Sequence, residues 1–565
     1  MSEQDVDQQL SKVEGLKVAS RQLRGDIVKE LKNGKIYFTE ETIQILKFHG
    51  MYQQDDRDLR AARRKAGEEK AYSMMIRARI PGGILSSQAY LQFDRLSQTY
   101  GNQTLRVTTR QTFQIHGVLK ENIKQTIKEI NDVMITTLGG CGDQVRNTLL
   151  CPFPHHGPLH DQLKEHLYQL VDALSAKTKA YHEIWLDGEK IASGEPDEEP
   201  LYGQTYLPRK FKLAIAIEGD NCVDVYANDL GIVAHRDGDT LLGYTLLVGG
   251  GMGRNHTKAD TYARAASPLC FVTPDQLIDA AIAIVSIQRD HGNRTDRQHS
   301  RFKYLIDKVG LPWFKEELER RLGTSLSEPR ALHFEGTSDH LGWQAQGDGR
   351  FALGIFIENG RIIDREGFQI KTALREIMTR FQPEIHLTTS QNLILCDLEA
   401  QDRQEIEATL KKYGVKLTEE ITNVRRFSMA CPSMPTCGLA IAESERALPD
   451  LISQIEQVVA ELSLQEERFT IRMTGCPNGC ARPYIGDIGL VGRAPGKYDV
   501  YLAGDFYGTH LNERFKETVP IQEIPGLLRT LLEDFKVHRT AQEMFGDYCA
   551  RIGIATLQER FGIYV

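Results

Sequence analysis

The chain has 565 residues, a formal net charge of −8 and 41% hydrophobic residues, which is ordinary for a globular protein of several domains. It has neither the basic footprint expected of a nucleic-acid-binding protein nor an apolar run of about 18 residues for a membrane span. The polar, acidic start MSEQDVDQQL does not resemble a signal or transit peptide and predicts a cytoplasmic protein.

The predicted elements alternate between helices and strands along the chain. Residues 1–70 are predicted to be helical and polar, and their charge run at 55–70 is typical of a solvated helix face. Strands are predicted at 74–80, 106–118, 210–217 and 351–357, and amphipathic helices at 122–135 and 448–463. This mixture indicates an α+β fold.

Several predicted strands carry cationic residues at every second position, which places them on one face of a sheet. Arg77 alternates in this way with Arg79, and Lys210 with Lys212. The longest such face is predicted at 106–116 and consists of Arg106, Thr108, Arg110, Thr112, Gln114 and His116. An outer sheet face explains one such strand, whereas three in one chain favour a site for carboxylates or oxyanions.

The glycine-rich loop GGGMGR at 249–254 follows an apolar run but does not fit the G-x-G-x-x-G fingerprint. A turn whose amides face an anion and a plain turn both fit this loop. Because the sequence has no P-loop and no convincing dinucleotide motif, we expect a redox enzyme of this sequence to receive its electrons from a partner protein.

Four of the ten cysteines form two short groups near the C-terminus, Cys431 with Cys437 as C-x5-C and Cys476 with Cys480 as C-x3-C. Four thiolates grouped in this way are the ligand count of an iron–sulfur cluster. Zinc is the alternative, but it prefers two to four residues between paired cysteines. Disulfides are not expected without a secretory signal. The pattern therefore favours a 4Fe–4S cluster.

The sequence also contains an internal repeat. Residues 105–115 match 385–395 at a shift of 280, and residues 211–233 match 469–491 at a shift of 258. Two ordered matches argue for a duplicated unit and a pseudo-two-fold arrangement.

The two copies differ at the cysteines. The shifts place Cys151 on Cys431 and Cys222 on Cys480, but the first copy has Gly157 and Glu218 at the two other cysteine positions. The first copy therefore cannot hold a four-cysteine cluster, and we expect one cluster per chain.

Several segments together resemble one known family over essentially the whole chain. They are CPSMPTC (431–437), GCPNGC (475–480), RQTFQIHG (110–117) and LPRKFK (207–212), with the duplicated halves. This combination resembles the sirohaem-containing sulfite and nitrite reductases. FHGMYQQDDRD (48–58), GQTYLPRKFK (203–212) and GNRTDR (292–297) resemble the members that receive electrons from NADPH through a flavoprotein.

The resemblance implies that sulfite binds a sirohaem iron and is reduced by six electrons to sulfide. Cys480 would be the axial ligand of the sirohaem and would share its sulfur with one 4Fe–4S cluster, which is held by Cys431, Cys437, Cys476 and Cys480. The residues implied to bind sulfite are Arg77, Arg146, Lys210 and Lys212, with Arg79 as an alternative to Arg77. The residues implied to bind the sirohaem carboxylates are Arg106, Arg110, Gln114 and His116, with Lys303 and Asn478 as further contacts.

The resemblance also implies a three-lobed α+β fold with duplicated ferredoxin-like halves and two nitrite/sulfite reductase domains related by a pseudo-two-fold. The expected divisions are an N-terminal arm at 1–70, ferredoxin-like halves at 71–140 and 341–420, and reductase domains at 141–340 and 421–565, the latter with the cysteines. The implied partner is a flavoprotein alpha subunit that carries FAD and FMN and oxidises NADPH in a hetero-oligomer. The implied role is sulfate assimilation for cysteine biosynthesis.

Two alternatives remain open at the level of the sequence. A ferredoxin-dependent sulfite or nitrite reductase would share nearly all of these motifs. An iron–sulfur electron carrier or a zinc-stabilised binding module would share the cysteines, but it would not need the cationic strands.

Overall fold

The computed structural model describes residues 10–153, 156–177, 183–186, 189–193 and 199–562. Its helices are α1 (Lys12–Ala19), α2 (Ile27–Leu31), α3 (Glu40–Leu46), α4 (Arg60–Lys65), α5 (Ser87–Thr99), α6 (Ile123–Asn131), α7 (Pro158–Ala173), α8 (Leu277–His291), α9 (Phe302–Val309), α10 (Leu311–Leu322), α11 (Ile370–Phe381), α12 (Arg403–Lys412), α13 (Asn423–Arg426), α14 (Leu448–Glu461), α15 (Ile524–His538), α16 (Phe545–Ile552) and α17 (Ile554–Phe561). None of these helices combines the length and apolar content that crossing a bilayer requires.

The strands are similarly distributed along the described chain. They are β1 (Met51–Asp55), β2 (Tyr72–Arg77), β3 (Ile84–Ser86), β4 (Leu105–Val107), β5 (Phe113–Val118), β6 (Leu149–Leu150), β7 (Glu183–Leu186), β8 (Glu189–Ser193), β9 (Leu213–Ile217), β10 (Gly219–Asp220), β11 (Leu230–Asp237), β12 (Thr240–Val248), β13 (Ser267–Val272), β14 (Phe334–Gly336), β15 (Gly342–Ala345), β16 (Phe351–Ile355), β17 (Arg361–Ile362), β18 (Asp364–Arg365), β19 (Phe368–Gln369), β20 (Glu384–Leu387), β21 (Leu393–Leu398), β22 (Ser428–Ala430), β23 (Ile471–Thr474), β24 (Ile488–Ala494), β25 (Lys497–Leu502) and β26 (Glu513–Pro520).

Four sheets carry the architecture. Two five-stranded sheets with the orders β1-β2-β5-β4-β17 and β15-β16-β21-β20-β3 form the duplicated ferredoxin-like halves. A seven-stranded sheet (β13-β12-β11-β9-β10-β14, with β6 beside β9) and a five-stranded sheet (β22-β23-β24-β25-β26) form the other two lobes. The predicted α+β duplication is confirmed by this arrangement.

The two ferredoxin-like halves exchange a strand. β3 leaves the first half and pairs with β20 of the second, while β17 leaves the second half and pairs with β4 of the first. Gly83 and Gly360 immediately precede the exchanged strands and have φ of 76° and 74°. A Cβ at Gly83 would lie 2.6 Å from the Leu387 carbonyl oxygen, and one at Gly360 would lie 2.3 Å from that of Val107. Only glycine allows these two close approaches.

Three large hydrophobic cores correspond to the three lobes. One core combines the apolar residues of both ferredoxin-like halves, from Phe38 to Val415. A second lies around the seven-stranded sheet and a third around the C-terminal sheet. Because the halves share one core and exchange strands, they form a single lobe between the two reductase lobes.

Equivalent hydrogen bonds in the two copies show that the pseudo-two-fold extends to side chains. Gln111 donates through Nε2 to the carbonyl oxygen of Leu150 at 2.8 Å, and Gln391 donates in the same way to Ala430 at 2.9 Å. These pairs are related by the shift of 280 that the sequence repeat predicted. Each bond fixes the residue that directly precedes a cysteine, Cys151 or Cys431.

The single predicted strand at 106–118 is wrong. The chain forms β4, reverses at Thr108–Thr112 and returns as β5, and Gln111 in the reversal has φ of 50°. Arg106 lies opposite Gln114 in adjacent strands, so these two side chains remain neighbours. Arg110 lies in the reversal rather than on the same strand face. The polar alternation therefore reports a hairpin whose two strands and turn all face one cavity.

Of two predictions for the N-terminal segment, the structure confirms one and contradicts the other. The solvated helix in 55–70 is confirmed, since α4 has no buried residue. The all-helical N-terminal segment is wrong at β1, which forms the edge of the first ferredoxin-like sheet by pairing with β2. Met51 and Asp55 at the two ends of the strand are buried, while the three residues between them are half-buried.

Candidate active site

Parallel pairing of two short strands brings the two cysteine groups together. β22 and β23 are adjacent and parallel, so their carboxyl ends meet at one edge of the sheet. Cys431 directly follows β22. Cys476 follows β23 after one intervening residue, Gly475. Cys437 lies in the turn that Arg57 fixes by donating through Nη1 to its carbonyl oxygen at 3.1 Å. Cys480 lies in the turn after Cys476.

The spacing of these sulfurs distinguishes between the two metal alternatives. A tetrahedral zinc ion with Zn–S bonds of about 2.3 Å holds its sulfurs about 3.8 Å apart. Within the described part of the chain, no three of the four cysteine sulfurs lie within 4.8 Å of one another. A cubane spreads its four ligands around separate iron corners and requires a wider arrangement. The spacing of the four sulfurs therefore does not fit a single zinc ion.

The four thiols are held in a common electrostatic environment. Burial, followed by the charge of Cys480, raises the pKa of Cys431 to about 12 and also raises the pKa of Cys437 and of Cys476. Four thiols that oppose one another's ionisation need a cation to hold them as thiolates, because metal binding displaces the protons.

Cys480 differs from the other three because its side chain is exposed, whereas Cys431 and Cys476 are buried and Cys437 is half-buried. Its backbone carbonyl accepts a hydrogen bond from Thr109 Oγ1 of the reversal between β4 and β5 at 3.1 Å. Cys480 therefore lies where the cysteine turn of the second copy meets the cationic hairpin of the first.

Arg77 and Arg79 point in different directions. Arg77 donates through Nη1 to the sulfur of Cys141 at 3.2 Å. Burial alone would lower the pKa of Arg77, but the charges of Cys141, Tyr52 and Cys480 raise it. Arg79 lies beyond the end of β2, and its Nη1 donates to Ser175 at 2.7 Å. The structure thus brings Arg77, and not Arg79, to the cysteines.

Lys210 and Lys212 supply two neighbouring ammonium groups, and the charge of Cys480 acts on Lys212. Within the described part of the chain, neither Nζ makes a hydrogen bond or an ion pair, although Lys212 donates its backbone N–H to Asp229 at 2.9 Å. Burial, followed by the charges of Arg110 and Arg301, lowers the pKa of Lys212 to about 7. Burial and the neighbouring Lys212 lower the pKa of Lys210 well below its usual value. An anion in this cavity would relieve the mutual repulsion of these groups.

Arg146 borders the same cavity but is held by the protein. Its Nε donates to the Gly142 carbonyl oxygen at 2.8 Å, and its Nη1 donates to that of Gly140 at 3.3 Å. Its charge is among those that lower the pKa of Lys210, after burial and Lys212. The charges of Lys212 and Arg146 thus both act on Lys210, and that of Cys480 acts on Arg77 and Lys212.

The residues predicted to bind the cofactor line the same hairpin. Arg106 donates to Glu445 and, through Nη2 at 2.9 Å, to the carbonyl oxygen of Ala430. Arg110 donates through Nη1 to Asn228 Oδ1 at 2.9 Å, and its buried Nε has no hydrogen-bond partner. Arg106 thus supports the residue before Cys431, whereas Arg110 retains a free donor.

Gln114 and His116 continue this lining on β5. The Gln114 amide faces Arg77 and, with its oxygen turned toward the guanidinium, accepts from Arg77 Nε at 3.0 Å. His116 Nδ1 lies 3.2 Å from Gln54 Oε1. Burial, followed by the charges of Arg361 and Arg106, lowers the pKa of His116 well below its usual value, so the ring is neutral near pH 7.

Lys303 and Asn478 lie on either side of the glycine-rich loop. Lys303 Nζ donates to the carbonyl oxygens of Gly251 and Gly253 at 3.2 and 2.8 Å. Asn478 is exposed, and its Nδ2 lies 3.5 Å from the sulfur of Cys476. The loop itself meets the cysteine turn, since Arg254 donates its N–H to the Pro477 carbonyl oxygen at 3.0 Å. The loop GGGMGR is therefore a packing element of the site, with Lys303 as its anchor.

Sequence reasoning missed four residues that shape the electrostatics of this site, namely Tyr52, Arg209, Asp229 and Arg301. Arg301 binds Asp229 through Nη2 at 2.9 Å, and Asp229 also accepts from the backbone of Lys212. Arg209 lies 3.5 Å from Asp143. Arg209 stands within the quoted segment LPRKFK, so a count of all its cations would have found it. Tyr52 likewise lies within the quoted segment FHGMYQQDDRD, whereas Asp229 and Arg301 lie outside the quoted segments.

The chemistry of the donors fits both groups that the sequence predicted. Three covered thiols and one exposed thiol suit a cluster with one ligand sulfur accessible from outside. The free donors around that sulfur suit a macrocycle rich in carboxylates together with a small oxyanion. The fold itself does not require so many cations around one thiol, because like charges at short range repel one another.

Comparisons with known proteins agree with this arrangement. Residues 66–133 and 344–413 match the nitrite/sulfite reductase ferredoxin-like half domain, and residues 169–326 match the nitrite and sulphite reductase 4Fe-4S domain. The second match covers the copy without the four-cysteine set, so the cysteines lie outside the matched residues.

Similar proteins match along nearly the whole chain. The sulfite reductase (NADPH) hemoprotein beta-component of Staphylococcus haemolyticus is 46% identical over 557 residues, which are 98% of this chain and 97% of that protein. The protein of the same name from Geobacillus thermodenitrificans is 44% identical over 549 residues, 96% of each chain. The structure of the Mycobacterium tuberculosis NirA protein has the same fold, with a TM-score of 0.78, 24% identity and 97% coverage of each chain.

Proposed function

The chain belongs to the nitrite and sulfite reductase family, among the sulfite reductase hemoprotein beta-components, and we propose that it reduces sulfite to hydrogen sulfide. One observation carries the proposal. Cys480 is the exposed cysteine of the four, and its charge acts on both Arg77 and Lys212. A cluster ligand open to a cationic pocket suits electron delivery to a bound oxyanion.

We propose that Cys431, Cys437, Cys476 and Cys480 hold one 4Fe–4S cluster and that Cys480 is also the axial ligand of a sirohaem. When bound, this pair of groups supplies electrons one at a time and an open iron position for the sulfur of sulfite. Arg110, Gln114 and Asn478 would contact the macrocycle. Arg106, His116 and Lys303 would support these residues without touching the macrocycle. Arg106 is bound to Glu445, and Lys303 is bound to carbonyl groups of the glycine-rich loop.

The chain's own residues would bind the anion and move protons. Arg77 and Arg146 would hold the oxygens of sulfite through their guanidinium groups. Lys212, with its pKa near 7, would exchange protons readily at neutral pH. Its ammonium would protonate an oxygen as that oxygen leaves as water. Lys210 lies beside it and would gain its proton when the anion binds and offsets the neighbouring charges.

We propose that the electrons come from NADPH through a flavoprotein alpha subunit with FAD and FMN, in a cytoplasmic hetero-oligomer that serves sulfate assimilation and cysteine biosynthesis. The names of the relatives support this route, since these proteins are called beta-components of NADPH sulfite reductases. The absence of a dinucleotide fingerprint from the sequence agrees with it. The division at 70, 140, 340 and 420 that the sequence predicts remains part of this proposal.

The test is sulfide production by the full chain isolated from cells that make sirohaem, with reduced methyl viologen as electron donor. We expect sulfide at six viologen equivalents per sulfite and an isobacteriochlorin absorption spectrum. Nitrite and ammonium are measured in parallel, because a ferredoxin-dependent nitrite reductase is the alternative. A protein with cluster iron, a full complement of sirohaem and no sulfide formation would not be a sulfite reductase.

A further inference from the structure

The first reductase lobe contains a second cluster of metal-binding side chains, at the position equivalent to the four-cysteine site. One ligand atom each from Cys151, Asp220, Cys222 and His340 lies within 4.8 Å of all the others. We propose that these four residues bind one zinc ion, which is distinct from the iron–sulfur cluster and from the sirohaem.

The backbone places two of these ligands as it places their counterparts in the second copy. Cys151 donates its N–H to the Ile215 carbonyl oxygen at 3.1 Å, and Cys431 donates to that of Met473 at 3.2 Å. Thr389 Oγ1 donates to the Cys222 carbonyl oxygen, just as Thr109 donates to that of Cys480. Cys151 and Cys222 therefore occupy the same places in the first copy as Cys431 and Cys480 in the second.

The other two ligands replace the missing cysteines from different positions. β10 pairs with β14, and this ladder brings Asp220 and Cys222 beside the segment that leads to His340. Asp220 Oδ1 accepts the N–H groups of Cys222 and Ser338 at 3.0 and 3.1 Å. Asp220 Oδ2 is left facing His340 Nε2 at 3.7 Å. The carboxylate is thus oriented with one oxygen directed into the cluster.

His340 is buried, with 3% of its surface exposed, and neither of its ring nitrogens makes a hydrogen bond of normal geometry. A buried imidazole that makes only long polar contacts, such as the one with Asp220 at 3.7 Å, costs free energy, which a metal bond would offset. Its backbone has φ of 54°, a conformation that is unfavourable for a residue with a side chain. The segment is held against β16, where a Cβ at Gly354 would lie 1.8 Å from the His340 carbonyl oxygen.

The Cys222 thiol donates to the sulfur of Cys151 at 3.2 Å. This distance is too long for a disulfide bond of about 2.0 Å and shorter than the ~3.8 Å between two thiolates on one zinc ion, so the sulfurs must move slightly apart when the ion binds. Both thiols release their protons when the metal binds, so uptake of the ion depends on pH.

The ligand types favour zinc over other common ions. Two thiolates and an imidazole suit zinc, while a site of this softness is poor for magnesium or calcium. Two cysteines, one histidine and one carboxylate complete a tetrahedral shell without a water molecule, which is typical of a structural site. Asp220 is half-buried, so it offers the ion a path from solvent. We expect the ion to tie the β10–β14 ladder to the strand that carries Cys151.

The experiment measures zinc and iron in the isolated full-length holoenzyme by mass spectrometry. We expect about one zinc ion per chain, as for a mononuclear site. The variants Cys222→Ser and His340→Gln should contain at least about fivefold less zinc with unchanged iron and acid-labile sulfide, since only one site loses a ligand. Cys270→Ala, which removes a buried cysteine outside the cluster, is the matched control and should keep its zinc.

X-ray absorption at the zinc edge of the wild-type protein keeps the proposal testable if those variants fail to fold. The expected shell has two sulfurs at about 2.3 Å and two nitrogen or oxygen atoms at about 2.0 Å. A shell without sulfur, a wild-type protein that takes up no zinc under reducing conditions, or a Cys151–Cys222 disulfide in freshly isolated protein would each overturn the assignment. Retention of zinc by both variants would do the same.

Discussion

Asp224 and Arg482 occupy equivalent positions in the two copies and form an ion pair with each other across the pseudo-two-fold axis. They are related by the shift of 258 seen in the repeat, and both adopt the left-handed conformation, with φ of 50° and 54°. Arg472 also binds Asp224, at 2.7 Å. The same backbone position has thus become acidic in one copy and basic in the other, and the pair joins the two reductase lobes.

Replacement of Asp224 by Asn should destabilise the protein by about 3 kcal/mol, because it leaves two buried guanidinium groups without their counterion. Burial opposes ionisation of Asp224, but Arg472 and Arg482 lower its pKa below the ordinary value. This contribution is therefore present at neutral pH and is lost as the pH falls through the acidic range. Urea-induced unfolding measures the change. Asp58→Asn at the exposed Arg446 pair is the control and should cost less than about 1 kcal/mol.

Replacement of Cys480 by Ser should remove or strongly disturb both cofactors, because this sulfur is proposed to join them. The measurement is the visible spectrum together with iron and acid-labile sulfide per chain. Cys549→Ala, a buried cysteine in the C-terminal core, should retain the wild-type spectrum. A normal spectrum from the Cys480 variant would remove this residue from the bridging position.

Replacement of Lys212 by Met should lower sulfite turnover about 10- to 100-fold while both cofactors remain bound, because one charge that contacts the oxyanion is lost. The rate is measured with reduced methyl viologen, which bypasses any partner protein. Lys124→Met on the exposed face of α6 is the matched control. Undiminished turnover in the Lys212 variant would place the anion elsewhere.

Sulfite reduction should also depend on pH through Lys212. Its pKa of about 7 means that the ammonium is charged below pH 7 and neutral above it. The value of kcat/KM, which reports the free enzyme, should therefore fall as the pH rises through 7. Lys212→Arg keeps its charge and should show no such decline. A decline of the same size in the arginine variant would assign the titration to another group.

Replacement of Arg77 should change catalysis, whereas replacement of Arg79 should change stability. Arg77→Gln should reduce kcat/KM for sulfite about 100-fold, since the charge of Cys480 acts on this guanidinium. Arg79→Gln should leave turnover near the wild-type level and lower the free energy of unfolding by about 1–3 kcal/mol, since it loses a buried bond to Ser175. The opposite pattern would exchange the roles of the two residues.

The sequence predicted the parts of this molecule that repeat or that cluster in the chain. The four cysteines and the two shifts were sufficient to foresee one cluster and a duplicated α+β fold. Alternation alone did not distinguish one long strand from a hairpin at 106–118, because the reversal at Gln111 uses no glycine or proline. The turn was therefore not predicted, although its polar residues were identified as candidate site residues.

The remaining features depend on contacts between segments that are distant in the sequence. β3 and β17 have three and two residues, too few for any periodicity. Asp229 and Arg301 act on Lys212 from 17 and 89 positions away along the chain, and no local pattern connects them. His340 lies 118 positions from Cys222 and belongs to no motif, so its place beside the two thiols emerged only from the fold.

The exchanged strands also determine the order in which the protein can be assembled. β4 cannot gain its outer neighbour until residue 362 has been synthesised, and β20 pairs with a strand made about 300 residues earlier. The first ferredoxin-like half therefore leaves the ribosome with an open sheet edge and an incomplete core. Such a nascent chain exposes backbone groups that invite wrong pairing. We expect chaperones to bind it until the second half arrives.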